Sequence, residues 1–346
     1  MATLKEVAQA AGVSAATASR ALRGVDRISE QTRIKVIDTA KRMNFSLSRS
    51  ASQLASGRTM RVVTLFNGPL NTWFNASCLE GMVEVFSPAG YDLVPAIVVT
   101  QESIRRFFHD LPNERNVDGI ILPSFRIDHA IAEILQQVTI PIVGLDTAGH
   151  TGLDGSVTLD NATAMHDAVQ LLHNLGHQRI GFIGHPQPGV FPSSAQIRAN
   201  YFIESAQALG YPPEHIDLFP SAEDIIKLGY DDGIAEIAGR VMRSPIHPTA
   251  LCTEMDEVAI PLIEKFRSIG IRVPEDISVI GFDNTDQAAL VGLTTLHQAP
   301  LQMARMAAQK LLTLMNHETL DEPETLAPAK LILRNTTARY MPQSAS

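Results

Sequence analysis

Nine side chains in this 346-residue sequence have types suited to holding a small polar molecule. Asn67, Ser124, Asp146 and Asp283 each follow directly on a short apolar run, and Gly68, His185 and Asn284 share such positions. Trp73 and Phe74 come a few residues after the first run, Arg198 lies in a helical pattern, and Met255-Asp256 follow the run TALCT. Carboxylates, amides and a guanidinium hydrogen-bond paired hydroxyls, while an aromatic covers the apolar face of a ring. A plainer reading stands beside this one: Asp146 and Asp283 as turn caps, Arg198 as a surface helix residue, Trp73 and Phe74 as packing. A second set, Ser14, Ala15, Ala16, Thr17, Ser19 and Arg20, clusters within seven positions. Small side chains around one Arg suit close approach to a duplex, with Arg20 reaching a base edge or phosphate and the hydroxyls of Ser14, Thr17, Ser19 and Thr32 reaching phosphates.

The elements that must carry the second set are short. In TLKEVAQAAGV, Leu4, Val7, Ala8 and Ala11 recur at the spacing of one helical stripe, and Gly12 stands where a helix C-terminus favours positive φ. Ser14 is a good N-cap for a second helix over 15–22. Helix, glycine turn and capped helix form the helix-turn-helix pattern, whose second helix enters the major groove. A third helix over 29–44 closes the head with Ile34, Val36, Ile37, Ala40 and Met43. Residues 46–57, SLSRSASQLASG, are too polar and short to fold alone.

From residue 60 the pattern changes. Apolar runs at 60–66, 91–99, 117–123 and 141–146 alternate with helical patterns near 76–87, 101–111 and 128–137. A second series runs from 156 to 283, with strands at 156–160, 179–185, 217–220, 249–253 and 276–283. Such alternation argues for parallel sheets covered on both faces, in two lobes. Ligands of open α/β sheets sit beyond the carboxyl ends of the strands, where the first set lies.

Charge divides along the same line. Residues 1–60 carry ten Lys/Arg against four Asp/Glu, a net +6, and the remainder carries −15. A basic head on an acidic body suits phosphate contact at one end only. No uninterrupted apolar run reaches 18 residues, so no membrane span is expected. The opening MATLKEVAQ has no apolar run of a signal peptide, and Cys78 with Cys252 gives no disulfide framework or metal spacing. A cytoplasmic protein is expected, with no cofactor or metal.

The stretch TLKEVAQAAGVSAATASRAL resembles the start of LacI/GalR-family transcriptional regulators. ISEQTRIKVIDTAKRMNF resembles the family's third helix and SRSASQLASGRT its hinge, and further matches recur near 141–146, 174–184 and 276–298. The resemblance implies an all-α helix-turn-helix head at 1–45, a hinge at 46–59 and a two-lobed periplasmic-binding-protein-like core at 60–340. It divides the core into an N-lobe of 60–159 plus 293–322 and a C-lobe of 160–292 plus 323–340. It implies DNA contacts at Thr3, Leu4, Ser14, Ala15, Ala16, Thr17, Ser19, Arg20 and Thr32, and in the hinge at Arg49, Ala51 and Leu54. In the family such a Leu wedges into the minor groove, a device that unstacks a base step. Phe45-Ser46-Leu47-Ser48 departs from the family's Tyr-x-Pro-Asn before the hinge.

In the core, Asp283 within GFDN, Arg198, Asp146 and Phe74 match the family's effector-binding positions. Met255 replaces the usual Asn of an Asn-Asp pair, and the Pro-rich loop 186–194 is longer than expected. The implied protein is a repressor that binds a palindromic operator as a homodimer under control of a small effector, most simply a carbohydrate. A nucleobase or nucleoside is the alternative, and a soluble sugar-binding protein without regulatory role is the rival by fold. The resemblance places the dimer interface around 285–293 and the helix 301–315, without a leucine-heptad tail for tetramers. No glycine-rich phosphate loop, zinc-ligand spacing or Gly-x-Ser-x-Gly elbow argues for an enzyme, and His177 reads as a hydrogen-bonded core residue.

Overall fold

The computed structural model describes residues 2–22, 28–45, 58–98, 100–114, 117–184, 195, 197–220, 225 and 228–341. Two compact units divide at Met60 and Arg61. The first is a three-helix head of α1 (Leu4–Ala11), α2 (Ala15–Leu22) and α3 (Glu30–Arg42). Thr3 and Glu6 form a reciprocal capping box on α1, and Gly12 ends it at φ 66°. Ser14 Oγ accepts from Thr17 N at 3.1 Å, capping α2. The core of the head is small: Val7, Ala8, Ala11, Ala18, Ala21, Val36 and Ala40. On α3 the inward stripe falls on Val36, Thr39 and Ala40, so Ile34, expected in that core, faces outward at 53% exposure.

The second unit holds two six-stranded sheets. Its elements in order are β1 (Arg61–Phe66), α4 (Trp73–Phe86), β2 (Asp92–Ile97), α5 (Gln101–Glu114), β3 (Gly119–Pro123), α6 (His129–Leu135), β4 (Ile142–Leu145), β5 (Gly155–Leu159) and α7 (Asn161–Asn174). They continue with β6 (Ile180–Gly184), α8 (Ile197–Ala208), β7 (Ile216–Pro220), α9 (Tyr230–Arg243), β8 (Ala250–Thr253), α10 (Asp256–Ser268), β9 (Ser278–Asp283) and α11 (Asp286–Leu290). Last come β10 (Thr294–His297), α12 (Pro300–Met315), β11 (Glu324–Ala327) and β12 (Lys330–Ile332). The sheets run β11-β5-β4-β3-β1-β2 and β12-β10-β9-β8-β6-β7. Every pairing is parallel except β10 with β12. Central strands such as β3, β6 and β9 are buried along their whole length, as strands covered on both faces must be.

The chain passes between the sheets three times, after β5, after β10 and between β11 and β12. This corrects the expected lobe boundaries. Thr294–His297, assigned from the sequence to the N-lobe, pairs with β9 in the second sheet, and Glu324–Ala327, assigned to the C-lobe, pairs with β5 in the first. Between them α12 returns to the first lobe and packs on α4. A Cβ on Gly81 of α4 would stand 2.3 Å from Leu301 O of α12, so only glycine allows that approach.

Candidate functional site

A cavity of about 220 Å3 opens at the carboxyl ends of both sheets. Asn67, Trp73, Phe74, Ser124 and Asp146 line it from the first lobe, and Arg198, Met255 and Asp283 from the second. Eight of the nine side chains singled out for a small ligand therefore converge on one space. Trp73 and Phe74, expected in a loop, form the first turn of α4 behind the Thr72 N-cap. Three of the wall residues hold backbone conformations that non-glycine residues rarely adopt: Ser124 at φ 55°, Asp146 at φ 51° and Asp283 at φ 119°. Strain of this kind concentrates at sites where side-chain placement matters more than stability. Ser124 and Asp146 follow β3 and β4 directly and Asp283 ends β9, and all three line the cavity.

Arg198 is the cation of this arrangement and is only 3% exposed. Its Nε donates to Asn161 Oδ1 at 2.9 Å and its Nη1 to the Glu254 carbonyl at 2.5 Å. The guanidinium carbon sits 3.5 Å from the centroid of Phe282, a cation–π contact that holds the group in place. Burial pulls its pKa down, and the charges of Asp283, Asp146, Glu254 and Asp256 pull it back up. The opposite effect acts on Asp283. Desolvation pushes its pKa up to about 8; Arg198 and the Gln298 bond oppose the rise, while Asp256 and Glu257 add to it. Gln298 Nε2 donates to Asp283 Oδ1 at 2.5 Å.

The ninth residue, Asp256, does not line the cavity. It is fully buried and accepts from Thr295 Oγ1 at 2.7 Å, Thr285 N at 2.9 Å and Thr285 Oγ1 at 3.3 Å. It therefore fixes the turn after Asp283 rather than facing a ligand. Thr72, Asn75, Glu257, Thr285 and Gln298 add polar side chains to the wall and were missed in the sequence. Of these, Gln298 follows β10 directly and so stood at a strand end like the others; Glu257 carries no such signal.

In the head, α2 presents Ala15, Ala16 and Arg20 outward, with Thr17 half-buried. Thr3 is exposed, and its hydroxyl and amide are engaged by Glu6.

Residues 3–48 match the family model of bacterial regulatory proteins of the lacI family, and residues 169–337 match that of a periplasmic binding protein-like domain. The probable HTH-type transcriptional repressor ExuR of Bacillus subtilis is 30% identical, covering 97% of this chain and 96% of its own length. The chain belongs to the LacI family. This LacI-family protein is 28% identical to catabolite control protein A of Priestia megaterium, over 97% of this chain and 99% of the relative. The repressor CytR of Escherichia coli is likewise 28% identical, over 97% and 96%. Among solved structures, the lac repressor dimer bound to operator and an anti-inducer superposes with a TM-score of 0.80 at 23% identity, covering 97% of this chain and 99% of that one. The fold is thus that of the lac repressor. The LacI-family chain is a DNA-binding transcriptional regulator with an effector-binding core, and the relatives named are regulators, not enzymes.

One expected DNA contact of this LacI-family head, Ser19, faces inward. Ser19 is 7% exposed on the inner face of α2, because Ala18, Ser19 and Ala21 form the side that packs against the other helices. Leu4 packs on the head core. Thr32, half-buried, bonds the Ser29 hydroxyl at 2.8 Å beside the α3 N-cap. Arg49, Ala51 and Leu54 of the hinge, His185 and the loop 186–194 lie outside the described residues. His177 is a core residue: Nδ1 meets Thr249 Oγ1 at 2.9 Å and Nε2 the Ala338 carbonyl at 3.1 Å. Among the described residues no helix is long and apolar enough to cross a membrane.

Proposed function

We propose that this LacI-family regulator is a repressor that binds a palindromic operator as a homodimer, with a monosaccharide-sized carbohydrate in the cleft controlling the affinity. The head, 1–45, and the hinge, 46–59, carry the DNA contacts, with Arg20 at a base edge or adjacent phosphate and Ala15 and Ala16 bearing on operator preference. Effector contacts fall to Asn67, Trp73, Phe74, Ser124, Asp146, Arg198, Met255 and Asp283, with Asp256 holding the turn behind them. Its place of work is the cytoplasm, where operator DNA is found.

One observation carries the effector reading: carboxylates from both lobes, one buried Arg and two half-buried aromatics share a single cavity. At about 220 Å3 it falls below the roughly 300–1,000 Å3 of pockets for drug-sized ligands, which suits a single ring. A ligand touching both lobes stabilises one lobe geometry over another, and control depends on its differential affinity for the two. Solved structures of related fold carry carbohydrates, a two-ring cellobiose at a TM-score of 0.68 and a single-ring ribose at 0.66. The paired aromatics Trp73 and Phe74 favour a second reading, a nucleobase or nucleoside stacked on them. For the dimer, Leu290 in the 285–293 region is 85% exposed, a large apolar side chain that a partner would cover.

A thermal-shift screen of the full chain against sugars, nucleobases and nucleosides tests the cleft. A ligand at about 100 times its Kd adds about 2.7 kcal/mol, a shift of several degrees. The shift is expected to vanish in Arg198→Ala and Asp283→Ala; a shift that survives both variants counts against the site.

A further inference from the structure

The charges around the cleft do not balance. Among the described residues lining it, Arg198 is the single cation, while Asp146, Asp283 and Glu257 bring carboxyl groups. Two more acids stand behind the wall: Glu254 at 1% exposure and Asp256 at 0%, both close enough to act on Arg198. Ala195 also lines the cavity. Helix N-termini favour anions, but α10, which begins at the cavity, carries Asp256 and Glu257 in its own first turn, and these answer its dipole.

The hydrogen-bonding inventory leans the same way. Several of the wall's donors are spent on the protein itself. Asn67 Nδ2 donates to the Ser124 carbonyl at 3.0 Å, Asn75 Nδ2 to the Pro69 carbonyl at 2.8 Å and Thr285 Oγ1 to Asp256. Gln298 Nε2 is given to Asp283, and Arg198 has committed Nε and Nη1 to Asn161 and the Glu254 carbonyl. Among the described wall residues one buried acceptor is left without a donor. Gln298 is 2% exposed and lines the cavity, yet its Oε1 has no partner. A buried acceptor without a donor costs about 1–3 kcal/mol, so a ligand that supplies the donor recovers that loss.

We infer that the effector is a non-anionic, donor-rich ring compound bearing an amino group, such as an amino sugar, and that the cleft rejects phosphorylated and carboxylated analogues. This rests on the cleft reading above and narrows it. The amino group meets Gln298 Oε1 and the carboxyl groups of Asp283 and Glu257, while hydroxyls meet Asp146. A phosphate placed there faces the acidic side chains of Asp146 and Glu257, with Nε and Nη1 of the one guanidinium already engaged, and like charges brought together out of water are unfavourable.

Isothermal titration of the full chain with matched sets tests the inference: glucosamine, galactosamine, glucose and galactose, the 6-phosphates and uronates of the two hexoses, and cytidine and adenosine with their 5′-monophosphates. Amine-bearing members are expected to bind at least about tenfold tighter than their anionic counterparts. Glu257→Gln, at an exposed position, should narrow that preference, and Gln298→Met should weaken amine binding. Equal or tighter binding of a phosphate or uronate overturns the inference, as does the absence of binding by every amine and neutral member. Binding by any member that persists unchanged in Arg198→Met lies outside the cleft and overturns the reading beneath it as well.

Discussion

The Gln298 side-chain amide donates to Asp283 Oδ1 at 2.5 Å, joining a residue on the second passage between the lobes to one at the end of β9. The first passage makes a similar connection: Asn161, the first residue of α7 after the chain leaves β5, accepts from Arg198 Nε at 2.9 Å. Two of the three passages are thus bonded to the side chains that face a ligand. Under the proposed effector reading, a ligand that bonds Arg198 or Asp283 is one hydrogen bond from a segment that connects the lobes.

Asn161→Ala leaves Arg198 Nε buried without its acceptor. The unmet donor should cost about 1–3 kcal/mol, a loss of several degrees in Tm, and effector affinity should fall with it because the guanidinium loses its orientation. Asn161→Asp keeps an acceptor and should restore most of the affinity. Equal affinity for wild type and Asn161→Ala in titration would show that Arg198 is placed by Glu254 and Phe282 alone.

Asp283 makes stability depend on pH in a defined direction. Its pKa is pushed up to about 8 by desolvation, from an ordinary value of 3.8. Below about pH 4 the folded and unfolded chains both hold the proton; between 4 and 8 only the folded chain does. Stability from this group is therefore full at low pH and is lost as pH rises through that window. Between pH 5 and 8, wild type should lose at least about 1 kcal/mol relative to Asp283→Asn, read as a difference of a few degrees in Tm. Parallel pH profiles for the two proteins would show that the carboxyl is ionised throughout.

The alternation of apolar runs made both sheets legible, and the positions just past those runs made most of the cavity wall legible, since parallel sheets put strand ends together. Side-chain facing was less legible. Ser19 and Ser14 are the same residue type five positions apart, yet one packs inward and the other caps a helix; only the rotation of α2 against its neighbours separates them. Ile34 looked like core because it is apolar, but it sits two residues from the buried Val36, on the far side of α3. The strands TTLH and ETLA carry no mark of the sheet they join, because four half-polar residues fit a place in either sheet and the passages decide. Asp256 follows a strand like Asp146 and Asp283, but two threonines, Thr285 and Thr295, capture it from a distance in sequence.

Arg20 stands exposed on α2 beside Ala15 and Ala16, whose methyl groups cannot donate hydrogen bonds. Discrimination among operators then falls largely on this one side chain and on DNA shape. Arg20→Ala should weaken specific binding by about 1–3 kcal/mol if it reads a base edge, with a smaller change on unrelated DNA. If it meets a phosphate instead, both affinities should fall together and the salt slope should shrink by about 1. Fluorescence anisotropy across a salt series separates the two, and an unchanged operator affinity would remove Arg20 from the interface.

Met255 stands at the N-cap of α10 in extended conformation, φ −157° and ψ 154°, and makes no side-chain capping bond. Asn at such a position commonly stabilises a helix by about 1 kcal/mol, because its oxygen takes a free amide of the first turn. The thioether instead lines the cavity and packs on the second-lobe core. Met255→Asn should therefore raise Tm by a few degrees while changing effector affinity, since an amide replaces an apolar contact against the bound ring. A gain in stability with a loss of affinity means that the position serves the ligand at the expense of the helix. A variant more stable and equally tight would mean that Met255 only fills space, and that the narrowing of effector choice lies with Gln298 and the surrounding acids.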